Sequence, residues 1–298
     1  MIFFEHLVNG VTVGGLYALI ALGYTMVYGV LQFINFAHGE VFMIGAFVGY
    51  LVFNWLQPAA GAIPWVAVIS AFTIAMLASA GLGMLIERLA YRPLRQAPRL
   101  APLITAIGIS LCLQNLVMLT IGKAPKTYPP IFSQEGLVFG EVTVSHIKIF
   151  IIGSAVVLMI LLHFFITRTR MGTALRAVSL DQRAASLMGI SVNRMISLTF
   201  GIGSALGAAA GVLVGLYYGQ ISFFMGYGAG LKAFTAAVLG GIGNIPGAMM
   251  GGFLLGIFEA IGGGINSQYQ NAIAFVVLII VLTIRPSGLL GERVADRV

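Results

Sequence analysis

Apolar and polar positions along this chain fall into long blocks. Predominantly apolar runs cover 7–31, 41–56, 63–86, 100–121, 149–166, 195–219 and 272–284. The run 149–166 is free of charge throughout. A membrane-spanning helix needs about 20 such residues to cross a hydrocarbon core ~30 Å thick, and the shorter runs supply most of one. Between 223 and 264 the pattern is less regular. Residues 232–239 have a helical composition, the stretch Gly240-Gly241-Ile242-Gly243-Asn244-Ile245-Pro246-Gly247 breaks it, and 248–261 resumes with Glu259 inside an apolar run. Two full spans fit this stretch, and so does one span plus a broken, re-entrant helix near 223–247. Irregular backbone at membrane depth is tolerated only against protein or water. The expectation is an all-α polytopic membrane protein with eight or nine transmembrane helices. Nine spans put the N-terminus outside, and eight put it inside. The first run lacks a basic leader and merges into a full span, so no removable signal peptide is expected.

Composition narrows the class. Of 298 residues, 59% are hydrophobic and 8% charged, and the mean hydropathy is +1.01. Soluble domains carry about 25% charged residues. The chain therefore lacks the polar surface of a soluble protein, and 1–298 is expected to form one membrane domain. Its net charge of +7 is sorted by position. Every arginine lies in 88–99, 168–194 or 285–297, and Lys123, Lys126 and Lys148 flank one long polar loop. Cationic residues accumulate on the cytoplasmic side of membrane proteins. The arginine segments and the C-terminus are thus expected inside and 123–148 outside, which leaves no nucleic-acid footprint to explain. The single cysteine, Cys112, supports no disulfide or metal framework.

The most polar internal stretch is 168–194. Ser179 followed by Gln182 has the spacing of a capping box, Asp181 suits a first helical turn, and Gly189 suits a left-handed C-terminal cap. Leu180, Ala184, Leu187 and Met188 then share one face of a short helix over 179–189, flanked by Arg176 and Arg183. Two readings fit: a loop that only sets orientation, or a docking element for a soluble partner.

Other candidates lie within or beside spans. Asn35, His38 and Glu40 form a polar cluster between two apolar runs, and Gln114, Asn115 and Glu259 sit inside runs. Polar groups at depth usually face the protein interior or a pathway. The cluster either caps adjoining helix ends or lines a solute path. Gly203, Gly207, Gly211, Gly215 and Gly219 recur every fourth residue and predict a bare helix stripe for close packing. No GxxxxGK[ST] loop, HExxH spacing or nucleophile–base constellation occurs, so neither a nucleotide site nor an enzyme is expected, and no cofactor.

Four blocks carry a family resemblance: 10–47 (GVTVGGLYALIALGYTMVYGVLQFINFAHGEVFMIGAF), 86–95 (IERLAYRPLR), 170–190 (RMGTALRAVSLDQRAASLMGI) and 232–252 (KAFTAAVLGGIGNIPGAMMGG). In order and over nearly the whole chain they resemble LivH-type permeases, membrane subunits of ATP-binding-cassette importers for branched-chain amino acids. The resemblance implies a bacterial cell or inner membrane. It also implies a second homologous permease, two cytoplasmic ATPase subunits and an extracytoplasmic binding protein as partners, which favours the docking reading of 168–194. Related permeases with similar blocks carry urea or short amides. An ion-coupled secondary transporter is the alternative from another class. It predicts midspan charge pairs, and the sequence offers only Glu259 and Glu40, without a buried arginine partner.

Overall fold

The computed structural model describes residues 2–60, 64–98, 100–131, 136–139, 142–266 and 268–291. Helices dominate, as expected of backbone that must satisfy its own hydrogen bonds in lipid. The first four are α1 (Ile2–Leu31), α2 (His38–Ala60), α3 (Pro64–Ile86) and α4 (Leu100–Thr120). A π-helical turn, Glu87–Tyr91, and a 3₁₀ turn, Arg92–Leu94, continue α3. After α5 (His146–Arg168), α6 (Arg170–Leu180) and α7 (Gln182–Leu187) form the polar stretch. The rest is α8 (Val192–Tyr218), α9 (Met225–Gly240), α10 (Ile245–Ile265) and α11 (Tyr269–Ile284). The polar loop contributes β1 (Lys126–Thr127), which pairs antiparallel with β4 (Gln220–Ile221), and a hairpin of β2 (Gly136–Phe139) and β3 (Val142–Ser145). The sequence of 127–141 is compatible with a little strand structure, and of that range 132–135, 140 and 141 lie outside the described residues.

Contacts at the helix ends sort into two sets. At one end, Gln182 Nε2 donates to Val30 O near the end of α1 (3.1 Å), and Arg95 reaches Asn193 at the start of α8 (2.6 Å). Leu289 and Leu290 donate to the last carbonyls of α9, Leu239 O (2.9 Å) and Gly240 O (3.0 Å). At the other end, Tyr128 N donates to Gly219 O (2.9 Å), and Trp65 near the start of α3 packs on Phe150 near the start of α5. Seven helices are long and apolar enough to cross a membrane. Among the described residues the 16-residue α11 is a further, shorter apolar helix, and α9 is also 16 residues long. Residues 225–265 form two helices, α9 running toward the arginine end and α10 returning. At 1.5 Å per residue α9 is only about 24 Å long. Its first turns carry Gly226 and Gly230 against Gly39 at the start of α2.

α1 is the centre of the bundle. Its side chains from Leu16 to Leu22 are almost wholly buried. Glycines bring α10 onto it: a Cβ at Gly14 would lie 2.7 Å from Phe253 Cα, and one at Gly10 2.8 Å from Ile257 Cα. The α8 stripe packs in the same manner. Gly203 faces Gly23 of α1, Gly207 faces His38 and Phe42 of α2, and Gly211 faces the α2 backbone, where a Cβ would stand 2.8 Å from Ala46 N. Gly215 receives the ring of Tyr128, whose hydroxyl donates to Ala46 O (2.9 Å). Gly219 departs from the expected stripe. It ends α8 in the left-handed region (φ +69°), and nothing lies within 4 Å of where its Cβ would be. Gly211→Leu is expected to cost about 1–3 kcal/mol by overpacking, read as a lower thermal midpoint of the solubilised protein. Gly219→Leu pays only backbone strain and should shift the midpoint less. Equal midpoints for Gly211→Leu and the parent would contradict this packing.

Candidate functional site

The sequence-predicted polar residues do not form one site. Asn35 sits in the turn between α1 and α2, where its Oδ1 accepts from Ala37 N (3.1 Å) and from the Tyr91 hydroxyl (2.6 Å). His38 opens α2 and is buried edge-on against Tyr24, with ring centroids 4.9 Å apart. Glu40 lies in the first turn of α2, where the helix dipole favours a carboxylate. Its Oε1 accepts from Gln114 Nε2 (2.6 Å) and Ser110 Oγ (3.2 Å) of α4. These contacts tie together the ends and flanks of α1, α2, α4 and the π turn. Asn115, one position round from Gln114, points outward and donates to Leu111 O (2.8 Å).

A mainly apolar cavity lies elsewhere. It holds about 420 Å³ and opens beside Pro125 and Gln220, at the end away from the arginines. Leu16, Ile20, Phe42, Val214, Ile221 and Met225 give it an apolar wall. Neither Asn35, His38, Glu40, Gln114 nor Asn115 is part of that wall. Lys232 of α9 is, and its ammonium forms an ion pair with Oε1 of Glu259 on α10. Glu259 in turn lines an adjacent cavity of about 230 Å³, which shares Val13 and Tyr218 with the first. Glu259 is 1% exposed and the Lys232 side chain 17%. The sequence offers Glu259 no buried arginine partner, and the structure gives it a lysine instead. The partner is a lysine 27 residues away, brought in by the antiparallel packing of α9 and α10. The sequence signal was present: Lys232 is the one cation outside the arginine segments and the polar loop, and an ionisable residue at membrane depth is a functional candidate by default.

A second arrangement stands at the arginine end. The polar stretch is two helices rather than the single helix expected over 179–189. Thr169 caps α6 by accepting from Gly172 N (3.0 Å). Asp181 breaks the chain (φ −154°, ψ 110°) and caps α7, accepting from Arg183 N (2.7 Å) and Ala184 N (3.0 Å). Ser179 does not cap. It lies in the last turn of α6 and donates back to Arg176 O (2.8 Å). Gly189 has φ +81° and its N–H donates to Ser186 O (3.0 Å), closing α7 with a left-handed turn. Ala185 alone is buried on α7. Leu180, Ala184, Leu187 and Met188 all face outward beside the exposed Arg176 and Arg183. Next to this stretch is a polar knot that sequence reasoning missed. Glu87, fully buried in the π turn, binds Arg92, Arg95 and Ser197 of α8.

The sequence pattern described as the permease component of the branched-chain amino acid transport system matches residues 6–282. The chain is 47% identical to the high-affinity branched-chain amino acid transport system permease protein BraD of Pseudomonas aeruginosa, over 99% of this chain and 98% of the relative. It is 45% identical, over the same shares, to the high-affinity permease proteins LivH of Salmonella typhimurium and Escherichia coli K12. Likeness of this extent leaves no segment of the fold outside the comparison, and the chain belongs to the family of branched-chain amino acid transport permeases.

Proposed function

We propose that this chain is one of two related permease subunits in an ATP-driven importer that carries leucine, isoleucine and valine inward by alternating access. Two cytoplasmic ATPases dock on the α6–α7 stretch, and an extracytoplasmic binding protein delivers substrate at the opposite end. The observation that carries this reading is the division of the molecule between its ends. An apolar cavity opens at one end, and an unpartnered apolar tip stands among arginines at the other. The arginine end faces the cytoplasm on charge grounds. The apolar cavity wall suits a branched aliphatic side chain better than urea or a short amide, which would strip polar groups of water without repaying them. One observation favours ion-coupled transport instead: Lys232 and Glu259 form the midspan charge pair that such a transporter predicts.

Reconstitution separates these readings. Vesicles holding both permeases and both ATPases should accumulate leucine only with internal ATP and external loaded binding protein. Uptake by the permease alone under a proton or sodium gradient would favour the ion-coupled reading. Sidedness is read in the same membranes from single cysteines in a Cys112→Ala background. Lys123→Cys should react with an impermeant reagent from outside, and Arg176→Cys only after permeabilisation. The reverse pattern overturns the orientation.

A further inference from the structure

The geometry points to the Lys232–Glu259 pair as the group that reads the charged ends of the passing amino acid, Lys232 taking the carboxylate and Glu259 the ammonium. This rests on the reading of the chain as an amino acid permease and goes beyond it by assigning the contacts. Three observations support it. The pair stands where the 420 Å³ cavity meets the 230 Å³ one, with Lys232 on the wall of the first and Glu259 on the wall of the second. Glu259 is buried; Oε1 holds Lys232, Oε2 makes no hydrogen bond within 3.5 Å, and the Tyr17 hydroxyl is a further polar group facing the carboxylate. A buried carboxylate oxygen on a cavity wall is an acceptor that a visiting donor can satisfy. Lys232 lies 5.8 Å from the centroid of the Tyr17 ring, which gives the ammonium a second stabilising face when its carboxylate partner turns away.

Charge conservation explains why a pair suits this task. A zwitterion brings one ammonium and one carboxylate. It converts one internal ion pair into two, and no charge in the site is left uncompensated at either stage. A cationic amide or an anionic keto acid would take one partner and leave Lys232 or Glu259 unmatched in a low-dielectric setting, which is strongly disfavoured, and neutral urea has no charge with which to open the pair. The same exchange limits affinity, because the internal pair must be given up to bind, and a transport route needs weak binding. The apolar wall then receives the side chain, in a volume within the usual range for small-ligand pockets.

The test uses the complete reconstituted importer and the variants Lys232→Met, Glu259→Gln and Lys232→Met/Glu259→Gln. Each single variant leaves one buried charge alone. It should lower the thermal midpoint and reduce leucine uptake tenfold or more. The double variant removes both charges, so its midpoint should return toward the parent while uptake stays at least tenfold down. If the pair only holds α9 to α10, the double variant restores uptake as well as stability, and that result overturns the assignment. Should the double variant not assemble, Lys232→Arg/Glu259→Asp decides. It keeps both charges, and uptake above a tenth of the parent is expected; loss equal to the neutral singles overturns the assignment. A parent complex that takes up no leucine with ATP overturns the permease reading itself.

Discussion

Leu187→Glu and Met188→Glu are expected to leave the permease folded and inserted but to abolish ATP-driven uptake, with at least a tenfold loss for each. Leu187 is 89% and Met188 82% exposed, on a helix whose only buried side chain is Ala185. Among the described residues nothing packs over either side chain, so folding should be indifferent. Large apolar side chains standing free beside exposed arginines have the form of an interface anchor with a polar rim. The rim charges, Arg176 and Arg183, would steer and orient more than they bind. α7 is also held rigidly enough to transmit a push. Asp181 fixes its start, the Gly189 turn fixes its end, and α6 and α8 lead from it into the α5 and α8 spans. Gly189→Val should resemble Leu187→Glu, because a β-branched residue is a poor occupant of φ +81°. ATP hydrolysis and leucine uptake measured together in vesicles check this. Normal coupling and normal co-purification with the ATPases in all three variants would move the docking surface elsewhere, with the 240–247 turn the next place to examine.

What could be read from the sequence follows from the range of the forces involved. The long helices were legible because apolar runs of span length have few alternatives in lipid. The Gly189 cap was legible because a local turn carries a local signal. The start of α7 was misjudged because Ser179 and Asp181 compete for the same role two residues apart. A carboxylate reaching two N–H groups prevails over a hydroxyl, which here turns back to its own helix. The polar cluster near Asn35 was recognised as important, but its partners are distant in sequence. Tyr91 lies 56 residues from Asn35, and Gln114 lies 74 from Glu40. Nothing in the local pattern distinguishes such interhelical ties from a pathway lining. Gln114 and Asn115 illustrate the limit most directly. Neighbours on one helix point about 100° apart, so one meets Glu40 and the other faces outward, and the run they share is too uniformly apolar to mark a face. Lys232 was overlooked for a related reason, since its counter-charge belongs to the next helix.

Glu87→Gln should be strongly destabilising. The Glu87 side chain is fully buried and is the one acid among two guanidinium groups, with Arg92 Nη2 at 3.1 Å and Arg95 Nη2 also in contact. Removing its charge leaves both arginines facing each other without compensation. Breaking a buried pair typically costs about 3–5 kcal/mol. The value should fall toward the lower end, because the Arg92 side chain is 34% exposed and water screens it. Arg92→Met should cost much less, since Glu87 keeps Arg95 and Ser197. The order of the two variants is therefore as diagnostic as their size. The knot also has a mechanical position. It fastens the π turn at the end of α3 to Ser197 and Asn193 in the first turns of α8, directly after the stretch proposed to receive the ATPases. A π turn departs from regular helix geometry and often marks a functional site. Loosening the knot should therefore lower leucine transported per ATP hydrolysed, beyond what instability alone accounts for. Thermal midpoints of the solubilised complex, with the transport ratio taken well below them, read both effects. If Glu87→Gln melts no lower than Arg92→Met, the two arginines are satisfied by solvent and the knot does not hold α3 to α8.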